Sequence, residues 1–320
     1  MEKKAFLLSV VLLIVVILGS IYYYITTTQE GIPMEVNSIG NRMSDYFAGV
    51  GLAFYDGHDY NDDNNYNDVN HPLNKYMPQV VKFDPELQSE LKKSLSPQAI
   101  DVVRDYKGKT ASWVVVNDDV YQFWKIMKPT VKKMLSDLFD KLEMNKNVKW
   151  PIIHYRCSDV PFWRMRHYHV QRFQYYKDTL NEIKNKGVNI KKITIMYNSS
   201  HQSGNENKEA CDNYIDMLRE YLSSMDIETE INSETNVEDF AQLFYAPAVI
   251  STGGSFSFMS AFFGDGIFIT APSEPIKNCD KNCDFIKKEY NIEHEDVISY
   301  HDIDEMKGHF LREKFHAAHR

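Results

Sequence analysis

The second half of this chain predicts an α/β domain built on a parallel, doubly wound sheet. Two observations carry that expectation. From Trp150 onward, short apolar runs alternate with amphipathic stretches at close spacing, the βαβα pattern of such sheets. One of those runs ends in a glycine- and hydroxyl-rich turn, ISTGGSFS, where such sheets bind ligands. A third observation concerns the opposite end of the chain, where an uncharged apolar run precedes everything else.

That run extends from Ala5 to Ile25. At ~1.5 Å per residue a helix of this length would cross a hydrocarbon core of ~30 Å. Lys3 and Lys4 precede it and no cation follows closely, so the positive-inside rule leaves residues 1–4 in the cytoplasm. Tyr22, Tyr23 and Tyr24 stand where an interfacial aromatic belt would lie. The run exceeds a usual signal-peptide core, and no A-x-A cleavage site follows it. The expectation is therefore an uncleaved signal-anchor over 5–25 and a short stem over 26–35. The protein would be type II, with its main domain in the lumen of a secretory-pathway membrane such as the Golgi.

The 320 residues behind and including this anchor suffice for two packed sub-domains. Hydrophobic residues make up 43% and charged residues 25%, an ordinary globular balance. The net charge of −9 argues against a nucleic-acid partner, which needs a broad basic footprint. It leaves room for a local pocket that holds one pyrophosphate. The four cysteines, Cys157, Cys211, Cys279 and Cys283, lack the C-x-x-C spacing of zinc sites and allow three full pairings. In an oxidising lumen Cys279 and Cys283 would close a small turn. Free, partly buried thiols fit the spacing equally well.

A first sub-domain is expected over 36–149 and a second over 150–320. In the first, a helix is predicted from Arg42 to Tyr55, with Met43, Phe47, Val50 and Phe54 on one face. Gly40 and Asn41 would form the turn before it. A polar, Asn/Asp-rich loop follows from Asp56 to Pro72. Val120, Phe123, Trp124, Met127, Val131, Met134, Leu138 and Leu142 trace a long amphipathic stripe, which Pro129 is expected to kink or split.

In the second sub-domain the strands are Pro151–Tyr155, Lys192–Tyr197, Ile227–Ile231, Ala248–Ser251 and Ile267–Thr270. The helices are Tyr168–Lys186, stopped by Gly187, then Lys208–Met225, Val237–Tyr245 and Ser257–Phe263.

Three clusters could carry chemistry. After the strand ending at Ser251 come Thr252, Gly253, Gly254, Ser255, Phe256 and Ser257. Glycines let a backbone approach a ligand closely, and a helix start offers unpaired N–H groups to phosphate. The G-K-[ST] ending of a Walker A loop is missing. The strand IIHYRCSD carries His154, Arg156 and Asp159 to its carboxyl end, with His154 and Arg156 on one face. An arginine grips a diphosphate with two N–H groups where a lysine offers a point charge. Asn198, in the turn after Tyr197, would line the same edge. Asn41 and Arg42 would reach it from the first sub-domain.

Together these clusters resemble the GT-B-fold fucosyltransferases that share an H-x-R-x-x-D motif, the α1,2-, α1,6- and protein O-fucosyltransferase superfamily. His154, Arg156 and Asp159 match that motif in HYRCSD. The run from Asp239 to Phe263 is similar to the family's later motif, and Gly40-Asn41-Arg42 looks like its N-terminal G-x-G-N-[QR] turn. The resemblance implies two Rossmann-like halves, with the donor on the second. It implies GDP-fucose as donor substrate, inversion at the anomeric carbon and no metal or other cofactor. Arg156 would hold the β-phosphate, and the acceptor would be a glycan or glycoprotein hydroxyl. Cys157 and Ser158 replace an arginine and a glycine of the α1,2 pattern, so the acceptor and linkage are not specified.

A GT-B transferase with another nucleotide-sugar donor is an alternative, and two other classes compete. The Asp-rich loop from Asp56 to Asp68 could hold a divalent cation in the manner of Asp-x-Asp transferases. A membrane-displayed carbohydrate-binding protein would need no diphosphate grip at all. Asp45, Asp56 and Asp159 are candidates for a general base.

Overall fold

The computed structural model describes residues 39–62, 77–105, 118–157, 170–197, 205–232, 236–270 and 286–287. The expected anchor, 5–25, lies outside these residues. Among the described residues no helix is long and apolar enough to cross a membrane.

The first half is helical. Helix α1 runs over Ile39–Asp56, α2 over Pro85–Ser94, α3 over Pro97–Asp105 and α4 over Asp118–Lys141. A small antiparallel ladder joins β1 (Tyr60–Asn61) to β2 (Val80–Val81). Helices α2 and α3 each begin with a cap and a proline. Asp84 accepts from the backbone N–H groups of Glu86 and Leu87, and Ser96 Oγ accepts from Ala99 N–H. Pro85 and Pro97 then occupy first-turn positions, where a missing N–H costs nothing. Helix α4 is continuous through Pro129, so the expected split does not occur. Its stripe is buried at Val120, Phe123, Trp124, Met127, Val131 and Leu138, and that burial on both sides of the proline outweighs one lost backbone bond.

The second half builds one six-stranded sheet in which every pairing is parallel. Its strands are β3 (Ile152–Tyr155), β4 (Lys192–Tyr197), β5 (Glu228–Ile231), β6 (Ala248–Ser251), β7 (Ile267–Thr270) and β8 (Ile286–Lys287). Between them lie α5 (Phe173–Asn185), α6 (Asn205–Ser223), α7 (Asn236–Tyr245) and α8 (Ser255–Ser257), the last running on into a π-helical turn over Phe258–Phe262. The order across the sheet is β5-β4-β3-β6-β7-β8. Within this half that is 3-2-1-4-5-6, the order of a Rossmann sheet.

Strand alternation sends side chains into two different cores. Ile153, Tyr155, Ile193, Ile195 and Ile250 pack with α5 and α6 on one face. Ile152, Met196, Val249 and Phe268 face the other way, into a core shared with α1 to α4, α7 and the π-helical turn. Two Rossmann-like halves were expected. Among the described residues there is one parallel sheet, and the first half is a helical layer on its second face. The apolar stripes of α1 and α4 have period 3.6 and bury against that face, where a second sheet would have needed period 2.

Candidate functional site

The strand order reverses between β3 and β6. To one side of β3 the chain runs out to β5, and to the other it returns through β6 to β8. At this point the two neighbouring strands send their following loops apart, which opens a crevice at their carboxyl ends. His154 and Arg156 come from β3 at that crevice, and Thr252 to Ser257 come from β6.

The loop after β6 is shaped by its own bonds. Gly253 and Gly254 have φ of 108° and 103°, a region that favours glycine. Gly253 N–H donates to Ser251 Oγ at 3.0 Å, and Ser251 Oγ lies 2.6 Å from Ser257 Oγ. Tyr175, on α5, donates its hydroxyl to the Ser251 carbonyl at 2.8 Å. Ser257 is fully buried in this network, and Thr252 and Ser255 are nearly so. Two further bonds carry the β3–β6 contact past the end of the sheet. Thr252 N–H donates to the His154 carbonyl at 3.2 Å, and Arg156 N–H donates to Thr252 Oγ1 at 3.0 Å.

These bonds bring the Arg156 side chain against the turn. A Cβ placed on Gly254 would lie 3.7 Å from Arg156 Cδ and 3.8 Å from Nη1. A cation therefore stands beside a backbone bend that lacks side chains, at the switch point of a parallel sheet.

His154 is half-buried and stacks on Phe256, with ring centroids 5.5 Å apart and planes at 24°. Phe240 of α7 meets the edge of Phe256 at 5.3 Å. His154 Nδ1 is shielded from solvent and has no hydrogen-bond partner among the described residues. Burial disfavours the imidazolium, and the neighbouring Arg156 charge adds to this, so the His154 pKa falls from 6.5 to about 4. The ring is neutral at neutral pH.

The sign of the resulting pH dependence follows. Above pH 6.5 the ring is neutral in both folded and unfolded chains and contributes no slope. As pH falls from about 6.5 to about 4 the unfolded chain takes up the proton first, and stability is lost by up to ~3 kcal/mol. Urea midpoints for the parent and for His154→Phe should therefore diverge between pH 7 and pH 4.5, with the variant losing less. Parallel curves would mean that the ring is protonated in the fold.

Helix α1 reaches the same loop. Its first turn includes Gly40, Asn41 and Arg42, so Gly40 and Asn41 lie inside the helix and not in a turn before it. A Cβ on Gly40 would sit 2.6 Å from Phe256 Cα, and closer still to Phe256 N and the Ser255 carbonyl carbon. Only glycine permits this contact between backbones. Asn41 and Arg42 are half-buried beside it, with Arg42 Nε and Nη1 shielded from solvent.

Asp159 and Asn198 lie outside the described residues, as do Cys279 and Cys283. Of the base candidates, Asp45 is half-buried on α1 and Asp56 pairs with Arg104. Asp59, from the competing Asp-rich loop, accepts from Lys82 Nζ and Phe83 N–H, and these bonds hold its pKa below the usual carboxylate value. Asp56 and Asp59 thus serve as surface ties for α3 and for the approach to α2. Cys157 is bonded to Cys211 of α6, a pairing across 54 residues that spacing did not select, and the free-thiol alternative does not hold for these two. Phe256, Tyr175 and the glycine contact at Gly40 acquire their roles only through long-range packing. Of the three, Phe256 and Gly40 left a trace in the sequence, one in the glycine- and hydroxyl-rich run after Ser251 and the other in the turn expected before a helix, and Tyr175 left none.

No family model matches the chain, and no curated protein matches it. Among solved structures, a crystal structure of POFUT1 in complex with GDP-fucose aligns at 12% identity with a TM-score of 0.26, over 45% of this chain and 46% of that one. A crystal structure of POFUT1 in complex with GDP aligns at the same identity and TM-score, over 46% and 49%. The aligned region spans about half the length of those chains. At that level of likeness, the chemistry rests on this chain's own geometry.

Proposed function

We propose that this protein is a glycosyltransferase that moves a sugar from a nucleotide diphosphate donor, with GDP-fucose as the donor and a glycan or glycoprotein hydroxyl as the acceptor. The observation that carries this reading is Arg156 standing against Gly254 at the switch point of the 3-2-1-4-5-6 sheet. A nucleoside diphosphate fits such a crevice. Its phosphates would approach the Gly253–Gly254 bend, and the guanidinium would supply a two-pronged charge-assisted grip. The choice of fucose rests on the H-x-R-x-x-D resemblance carried by His154, Arg156 and Asp159.

In the reaction the acceptor oxygen attacks the anomeric carbon, and the bond from that carbon to the β-phosphate oxygen breaks. GDP leaves with the bonding pair, and the acceptor proton passes to a base among Asp45, Asp159 or solvent. Negative charge grows on the β-phosphate as the bond breaks. Arg156 acts there, stabilising the departing diphosphate more than the bound donor. Attack from the face opposite the leaving group inverts the anomeric centre. The arginine provides the charge that a divalent cation would otherwise supply. Asn41 and Arg42, on the first turn of α1, stand next to Gly40 where that helix meets the loop, and would line the donor site. The anchor over 5–25 would hold this domain, 36–320, on the lumenal side of a Golgi or related membrane.

Thermal unfolding with added nucleotide tests the reading. GDP at about 100 times its Kd stabilises by about 2.7 kcal/mol, and UDP at the same concentration should give no comparable shift. A shift with UDP alone would replace the donor. No shift with any nucleotide would favour a carbohydrate-binding role, and a strict manganese requirement would return attention to the Asp-rich loop.

A further inference from the structure

The ladder that positions β3 stops short of Arg156. Pairing with β6 ends at His154 opposite Ser251, and pairing with β4 ends at Tyr155 opposite Tyr197. Arg156 therefore stands on an overhang, past the last rung on both sides. The overhang is held from the face of the sheet opposite His154. Tyr155 and Cys157, the two neighbours of Arg156, are each 1% exposed and lie in the core beneath α5 and α6. Cys157 is bonded to Cys211, with the Cα atoms 5.8 Å apart. Tyr155 stacks on Tyr214, with centroids 4.6 Å apart and planes at 25°. Cys211 and Tyr214 are three residues apart on α6, so both holds come from one face of one helix. Tyr214 in turn donates its hydroxyl to the Gln171 carbonyl at 2.5 Å, which ties α6 to the segment leading into α5.

We infer that the Cys157–Cys211 disulfide and the Tyr155–Tyr214 stack form a positioning device for Arg156. They fix the backbone on either side of it, so that its side chain is presented to the Gly254 turn. The bond and the stack flank Arg156, which lies past the last rung on both sides. A disulfide placed only to restrict the unfolded chain would stabilise the whole domain evenly and could lie anywhere. Full activity then depends on an oxidising environment during folding, because both sulfurs are buried in the finished protein. The consequence for nucleotide affinity rests on the function proposed above. The positioning itself does not.

Cys157→Ala/Cys211→Val removes the bond and roughly keeps the buried volume. Amide hydrogen exchange on the full chain should be at least tenfold faster at Arg156 and Thr252, whose N–H groups hold the overhang to β6, and unchanged in β4 and β5. The Kd for GDP should rise about tenfold, and that rise should vanish when the same pair is changed in an Arg156→Ala background. Acceleration spread evenly over the sheet would overturn the inference. So would unchanged exchange at the two amides, or a rise in Kd that persists in full without Arg156. If the double variant fails to fold, Tyr214→Leu, which keeps the disulfide, is read in the same way. If the parent chain binds no GDP, the nucleotide-sugar reading falls, and the exchange measurement alone decides the positioning.

Discussion

Arg156→Ala is expected to lower the turnover of sugar transfer by about 10²–10³-fold, the usual loss when one donor to a developing oxyanion is removed. The chain should remain folded. Arg156 lies beyond the last rung of β3, and its backbone bond to Thr252 Oγ1 does not involve the guanidinium. The side chain is half-buried and belongs to neither apolar core, so truncation opens no sealed cavity. Arg156→Lys is the sharper comparison. A lysine keeps the charge but loses the two-pronged geometry, so it should recover part of the binding and little of the turnover. Steady-state kinetics with GDP-fucose, together with a urea midpoint for each variant, provide the check. Near-parental turnover in the alanine variant would remove Arg156 from the mechanism.

Gly40→Ala should be strongly damaging, although alanine is the better helix former by up to ~1 kcal/mol. The added Cβ meets the backbone of Ser255 and Phe256 well inside van der Waals contact, and backbone cannot rotate out of the way. Overpacking of this kind costs about 1–3 kcal/mol and outweighs the gain in propensity. Relief has to come from moving either α1 or the loop that carries Gly254 and Phe256. The expected result is a lower urea midpoint together with weaker GDP binding. Gly49→Ala makes a useful contrast, because its Cβ would meet the ring of Tyr60, a side chain far from the crevice loop, so it should cost stability without weakening GDP binding. A more stable Gly40→Ala protein with unchanged nucleotide affinity would show that α1 and the loop do not depend on each other.

The two variants act on different parts of one crevice. Arg156 supplies its charge, and Gly40 lets the helical layer close against it. Stability and chemistry meet at Phe256, whose backbone touches Gly40 and whose ring stacks on His154.

Much of the second half was legible from residue order alone. KITIMY, AVIS and IFIT fall on strands β4, β6 and β7 with the expected bounds, because parallel strands covered on both faces must be apolar along their whole length. The glycine pair after Ser251 and the H-x-R run on β3 were also plain, since each is a local pattern at the end of a strand. The first half was harder to read. Helices α2 and α3 carried their signals in Asp84-Pro85-Glu86 and Ser96-Pro97, but a short amphipathic helix shows only one or two turns of its period. Of the kink or split expected at Pro129, the split does not occur, because packing of α4 on both sides of the proline holds the helix continuous.

By itself, then, the sequence determined strands β3 to β7 and placed His154, Arg156 and the Thr252–Ser257 turn at the ends of two of them, because propensity, period and turn chemistry act over a few residues. The short pieces β1, β2 and β8 carried too little pattern to show. The tertiary structure decided the rest. It ordered the strands 3-2-1-4-5-6 and so put the ends of β3 and β6 side by side. It brought Gly40 against Phe256 across more than two hundred residues, and chose Cys211 as the partner of Cys157. These are long-range choices, made by which apolar faces cover which, and no local pattern encodes them.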